Sequence, residues 1–183
     1  DGRRIGRLRE AIQDRNGNLW FATDDGAIRY QDGNWHIYDV GDGLAGPTVL
    51  SVAADSSGAI WFATTAGLSR FEQGSWTTFM AGTTIGAVLC ASDGDVWVST
   101  SNGGYRFDGD SWKSLPLTVG TSSVRTTFPA YIFEDSRGDI WFAGDVWFGG
   151  QQGGVGRHDG TRLRTYSVDD GLPHERILGL TAD

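Results

Sequence analysis

The chain has 183 residues and a formal net charge of −8, with 15 Lys and Arg against 23 Asp and Glu. That acidic balance argues against a nucleic-acid or anionic-membrane surface, because both need clustered cations. The hydrophobic fraction of 39% is low, but eight Trp and nine Phe can build a core. The 28 Gly, about twice the usual share and without a triplet period, call for many tight turns.

The chain starts with a local run of arginines, Arg3, Arg4, Arg7 and Arg9, read as solvated or ion-paired. An apolar strand follows from Leu8 to Asp14, then the Asn16-Gly17 turn, then a Trp-bearing strand from Leu19 to Thr23. Ala27 to Tyr30 and, after Asp32-Gly33, Trp35 with Tyr38 supply a third and a fourth strand. The same order returns with Val49 to Asp55, Ile60 to Thr64, Leu68 to Phe71, and Trp76 with Phe79. A third copy runs from Ala87 to Asp93, Val96 to Thr100, Gly104 to Phe107, and Trp112 with Leu115. Its turn motif, Asp93 to Ser99, reads as a shortened form. The fourth holds Pro129 to Asp135, Ile140 to Ala143, Val155 to His158, and Leu163 with Tyr166 in place of a second Trp.

The leading tryptophans, Trp20, Trp61, Trp97 and Trp141, are 41, 36 and 44 residues apart. Periods near 40 mark repeat architectures. Aromatic and β-branched segments joined by Gly turns that accept positive φ are antiparallel strands. No segment has a 3.6-residue apolar period. Four strands per repeat is the plan of a β-propeller blade. The fold expected is therefore an all-β propeller of four-stranded antiparallel blades, with limits near 3–40, 47–80, 85–117 and 129–168. Residues 177–183 align with Val49 to Asp55 and give the first strand of a fifth blade. An unpaired strand edge is avoided in natural sheets. The chain is thus expected to be a segment of a larger propeller of about seven blades. A ring closed by a second copy, or by its own last strand, is the alternative.

Strand parity puts the first-to-second and third-to-fourth turns on one face, and the second-to-third and inter-blade loops on the other. The second face carries the length variation, which in repeat proteins marks a binding face. The insertion Gly144 to Gly153 holds Asp145, Trp147, Phe148 and Gln151. An aromatic pair beside polar groups suits a sugar face and its hydroxyls, or it caps the next blade. The polar insertion Pro116 to Phe128 reads first as a connector, with Arg125 as its candidate ligand contact. His174 with Glu175 is the one acid/base pair on that face. The Asp42-Gly43-Leu44 and Asp170-Gly171-Leu172 sites read as turns anchored by Leu.

Asp14-x-Asn16-x-Asn18 superficially resembles half a calcium loop but lacks the later ligands, so Asx turns explain it better. The three His lack metal spacing, and His36 and His158 are read as structural or solvated. The single Cys90 lies in an apolar run and reads as an inert core thiol. No metal, cofactor or nucleophile–base set is expected. No apolar run approaches 18 residues and the start lacks a secretory pattern, so neither a membrane helix nor an export signal is expected in this segment.

The pattern Asp14-x-Asn16-Gly17-Asn18-Leu19-Trp20-Phe21-Ala22-Thr23, then Gly26-x-Ile28-Arg29-Tyr30, Asp32-Gly33-x-Trp35 and Asp42-Gly43-Leu44, resembles the two-component regulator propeller repeat. It covers essentially the whole chain. The resemblance implies a seven-bladed, extracytoplasmic (periplasmic or cell-surface) input domain of a hybrid histidine kinase or related signalling protein. It implies a non-catalytic sensor, with a small molecule or oligosaccharide as ligand and the remaining blades or a second copy as partner. Streptogramin lyases have a similar Gly-x-Trp blade pattern and are enzymes, so a lyase-like propeller and a protein-interaction scaffold stay open beside it.

Overall fold

The computed structural model describes residues 6–100, 103–115, 129–148 and 151–174, with the backbone alone at 129, 130, 144–148 and 151–153. The described residues form four antiparallel sheets of four strands each, in sequence order within every sheet. The first blade is β1 (Leu8–Gln13), β2 (Leu19–Thr23), β3 (Gly26–Gln31) and β4 (Asn34–Tyr38). The second is β5 (Val49–Ala54), β6 (Ile60–Thr64), β7 (Gly67–Glu72) and β8 (Ser75–Phe79). The third is β9 (Ile85–Cys90), β10 (Val96–Thr100), β11 (Gly103–Phe107) and β12 (Trp112–Ser114). The fourth is β13 (Pro129–Glu134), β14 (Ile140–Phe148), β15 (Gln151–His158) and β16 (Leu163–Tyr166). A single 3-10 turn, Val168–Asp170, follows, where the sequence offered only a turn. The strand expected at 177–183 lies outside the described residues, as does Arg125. The chain divides into two compact units, Asp1–Cys90 and Ala91–Asp183.

The hairpins follow from local chemistry. Each first-to-second turn places a Gly at positive φ: Gly17, Gly58, Gly94 and Gly138. In the second-to-third turns a Thr hydroxyl donates to a carbonyl three residues on. Thr23 reaches Gly26 at 2.8 Å, Thr64 reaches Gly67 at 2.7 Å and Thr100 reaches Gly103 at 2.9 Å. Gly26 is fixed by space as well as by its φ of 110°, since a Cβ there would lie 2.3 Å from the Tyr38 carbonyl oxygen.

Within residues 1–90 the first two blades pack face to face. The Trp20 ring lies 5.7 Å from Phe62 and 5.5 Å from Phe71, and Tyr38 lies 5.5 Å from Trp76. The inner strands are pinned by side chains that accept from the neighbouring strand's backbone. Val52 N donates to Glu10 Oε2 at 2.9 Å, and Val88 N donates to Ser51 Oγ at 3.3 Å. The second strands β6 and β10 are buried along their whole length, as a twice-covered strand should be. Cys90 is half-buried; burial, reinforced by the Asp55 charge and opposed by Arg70, pushes its thiol up to about 12, which agrees with an inert role.

Residues 91–183 repeat the packing, with Trp97 6.2 Å from Phe142 and 5.1 Å from His158. By register His158 occupies the place of Phe71, opposite Ile140 as Phe71 is opposite Ile60. It is buried, and its Nδ1 accepts from Gly160 N at 3.1 Å. Burial, with Arg106 adding to it, lowers the imidazole below its ordinary value. The unfolded chain therefore takes up this proton first as pH falls below about 6.5. The contribution of neutral His158 is full above that pH and declines below it. His158→Phe is expected to lose less stability than the parent between pH 8 and 5.5 in urea titrations. Equal losses would exclude His158 as the source.

Candidate functional site

One constellation recurs in every blade. The Trp of the second strand pairs across the sheet with an Arg of the third, whose guanidinium lies over the indole. The distances are 5.5 Å for Arg29 on Trp20, 5.5 Å for Arg70 on Trp61, 5.4 Å for Arg106 on Trp97 and 5.6 Å for Arg157 on Trp141. In three blades an Asp six residues before the Trp accepts its indole N–H. Asp14 takes Trp20 at 2.8 Å, Asp55 takes Trp61 at 2.8 Å and Asp135 takes Trp141 at 2.9 Å. The same carboxylates close the turns. Asp14 Oδ1 also accepts from the backbone N–H of Asn16 and Asn18 at 2.9 and 3.0 Å, and Asp14 Oδ2 accepts from Asn18 Nδ2 at 2.8 Å. These are the Asx turns expected in place of a calcium loop. Burial alone would raise Asp14 and Asp55, but the bonds from the indole and the turn outweigh it, and both lie below the usual carboxylate range. The Trp141 indole N–H, with backbone donors, holds Asp135 at about 2.

The third blade corrects the reading of a shortened repeat. Ala91 N donates to Asp95 O at 2.8 Å, as Asp14 N does to Asn18 O at 2.9 Å. The turn is full length, and Ala91 stands where the other blades have Asp. Trp97 Nε1 is consequently buried without a hydrogen-bond partner.

The arginines also differ between blades. Arg70 is paired with Glu72 at 2.8 Å and lies 3.8 Å from Asp55. Arg106 is paired with Asp95, and Arg157 donates from Nε to Asp139 Oδ2 at 2.8 Å. The first blade has amides at both acid positions, Asn18 and Gln31. Among the described residues Arg29 has no acid partner, and its Nε is buried without a hydrogen bond. It lines a cleft of about 700 Å³ between the first two blades, along with Asp14, Asn18, Trp20, Asp42 and Trp76. Turns of the short, uniform face contribute Asn16, Ser57 and Gln73. Loop-length variation in the sequence points to the opposite, variable face and gives no signal for this site.

The insertion at 144–153 is not an irregular loop. It lengthens β14 and β15 into a longer hairpin, with Trp147 opposite Gln152 and Phe148 opposite Gln151. The register shifts between Gly144 and Trp147, at Asp145 and Val146. Asp145, Trp147, Phe148 and Gln151 thus share one hairpin. His174 is exposed, beyond the turn at Val168–Asp170. The Asp-Gly-Leu sites behave as anchored turns. Leu44 is buried, Asp39 N donates to Asp42 Oδ2 at 2.9 Å, and a Cβ on Gly43 would lie 2.9 Å from the Trp76 side chain. Asp170 closes a capping box with Ser167. Among the described residues no group of three or more His, Cys, Asp or Glu is placed to hold a metal ion.

Four-stranded antiparallel blades in sequence order define a β-propeller fold, with four blades among the described residues. Solved structures share it. The extracellular domain of BT3049 from B. thetaiotaomicron, assigned to a hybrid two component system, matches at a TM-score of 0.72 and 21% identity, over 92% of this chain and 24% of that one. The corresponding domain of BT4673 matches at 0.54 and 17%, over 96% of this chain and 33% of that one. A catalytically inactive virginiamycin B lyase from Staphylococcus aureus, solved with quinupristin, matches at 0.68 and 15%, over 95% and 58%. The chain spans about a quarter of the BT3049 domain and over half of the lyase. No protein-family model and no curated protein matches the sequence.

Proposed function

We propose that the chain is a stretch of blades from the extracytoplasmic input propeller of a two-component signalling protein, and that it binds ligand without catalysing a reaction. The observation that carries this reading is the lengthened β14–β15 hairpin, among the described residues the one place where a blade departs from the repeat by adding an aromatic pair among Asp and Gln. Everything the four blades share is absorbed by the scaffold, whereas Trp147 and Phe148 have no counterpart in the other three. The fold likeness to the BT3049 and BT4673 extracellular domains supports the sensor role and the location outside the cytoplasm. The ligand class proposed is an oligosaccharide, stacked on the aromatic pair and hydrogen-bonded by Asp145 and Gln151. His174 and Arg125 are the further contacts proposed. Other blades, or a second copy, would cover the face of the first blade where Trp35 is 61% exposed.

A glycan array followed by calorimetry tests this. Trp147→Ala is expected to weaken the selected glycan by roughly tenfold or more, about 1.4 kcal/mol, at an unchanged melting temperature. Failure to bind any glycan would sink the carbohydrate reading. The fold likeness to the lyase favours a second reading, in which His174 and Glu175 serve turnover. Metal-dependent lyase activity lost in His174→Ala would establish that one instead.

A further inference from the structure

We propose that the cleft between the first two blades binds a small polyhydroxy carboxylate, a sugar acid, with Arg29 as the group that holds the carboxylate. The case starts from the repeat itself. Four arginines occupy one register position over four tryptophans, and three of them have acid partners in their own blade. Only in the first blade have both acid positions become amides, Asn18 and Gln31. The stacked guanidinium of Arg29 is left with a buried, unused Nε–H, a donor that folded proteins seldom leave unanswered. The missing acceptor is a carboxylate, because that is what the same atom meets in the fourth blade, where Arg157 Nε donates to Asp139 at 2.8 Å. A planar guanidinium matches a planar carboxylate in shape and charge.

The other charges in the cleft leave room for such a ligand. Asp14 is engaged by four hydrogen bonds and Glu72 is paired with Arg70, so neither carboxylate is unanswered. Asp42 accepts from Asp39 N and keeps oxygen lone pairs for ligand hydroxyls. The amides of Asn16 and Gln73 line the same space, and Trp76 offers an aromatic wall. Polar donors and acceptors beside an aromatic surface are what a sugar ring needs once its carboxylate is fixed. This site is independent of the β14–β15 hairpin.

Calorimetry with D-galacturonate and D-galactose on the whole chain tests it. Galacturonate is expected to bind saturably, and galactose roughly tenfold more weakly or worse. Asn18→Asp rebuilds the acid of the third and fourth blades, so Arg29 is satisfied internally. It is expected to weaken galacturonate at least tenfold without lowering the melting temperature, the new Arg29 pair offsetting the lost Asn18–Asp14 hydrogen bond, which separates lost binding from lost folding. Arg29→Gln should weaken it comparably. Trp147→Ala should leave galacturonate unaffected, so this proposal and the hairpin reading fail separately. The proposal is overturned if galacturonate gives no saturable heat, if galactose binds as tightly, or if Asn18→Asp binds like the parent.

Discussion

Trp61→Ala is expected to cost about 3–5 kcal/mol in urea denaturation, a large part of an ordinary domain's stability. Trp61 is 2% exposed and its ring stacks on Phe79 at 5.4 Å. The Arg70 guanidinium lies 5.5 Å from the ring centroid, and the indole N–H is held by Asp55. Truncation therefore removes a packed volume, uncovers the Arg70 guanidinium and takes one donor from Asp55. Trp35→Ala is the internal control. It also removes a tryptophan, but an exposed one that touches Tyr30 and Phe21 at the blade's open side. Its cost is expected within roughly 1 kcal/mol. Equal costs for the two would show that burial of the second-strand tryptophan within its blade is not what stabilises the fold.

The second large effect is a reciprocal pair. Asp55→Ala is expected to lose about 1–3 kcal/mol, because the Trp61 indole N–H and the turn amides of Ser57 and Ala59 lose their acceptor. Ala91→Asp is expected to gain about 1 kcal/mol by giving the orphaned Trp97 Nε1 the acceptor that three blades already have. The pH dependence checks the mechanism. Asp55 is depressed in the folded chain, so its contribution is present above the ordinary carboxylate value of 3.8 and is lost as pH falls through the folded value. The gap between parent and Asp55→Ala should close in acid. An Ala91→Asp variant no more stable than the parent at neutral pH would refute the assignment of that turn.

The blade plan was legible because turn glycines and paired aromatics are local signals. A Gly three residues before each Trp, at Gly17, Gly58, Gly94 and Gly138, carries the register through all four copies. The third copy was misread because its aspartates, Asp93 and Asp95, drew the alignment away from that Gly–Trp spacing, hiding Ala91. The Arg–Trp stack was also in reach, since Arg29, Arg70 and Arg106 each follow their Trp by nine residues. What sequence could not supply was the cross-strand pairing that puts Asn18, Gln31 and Arg29 in one place. The insertion at 144–153 was visible as extra length. That the length continues the two strands follows from pairing beyond Gly144 and Gly154, which composition rich in Gly does not announce.

The two kinds of contact in residues 1–90 differ in the loop each must close. Strands within a blade are sequence neighbours joined by short turns, so each sheet can form through small loop closures. Docking Trp20 on Phe62, or Glu10 on Val52, closes about 40 residues at once. Closure cost grows only slowly with length, while the reward is a buried aromatic interface. Hairpins of this kind are expected to form first, and the meeting of two sheets is expected to limit the folding rate. The side chains that matter for speed are then the ones between blades, and those inside a single sheet govern chiefly how long it lasts.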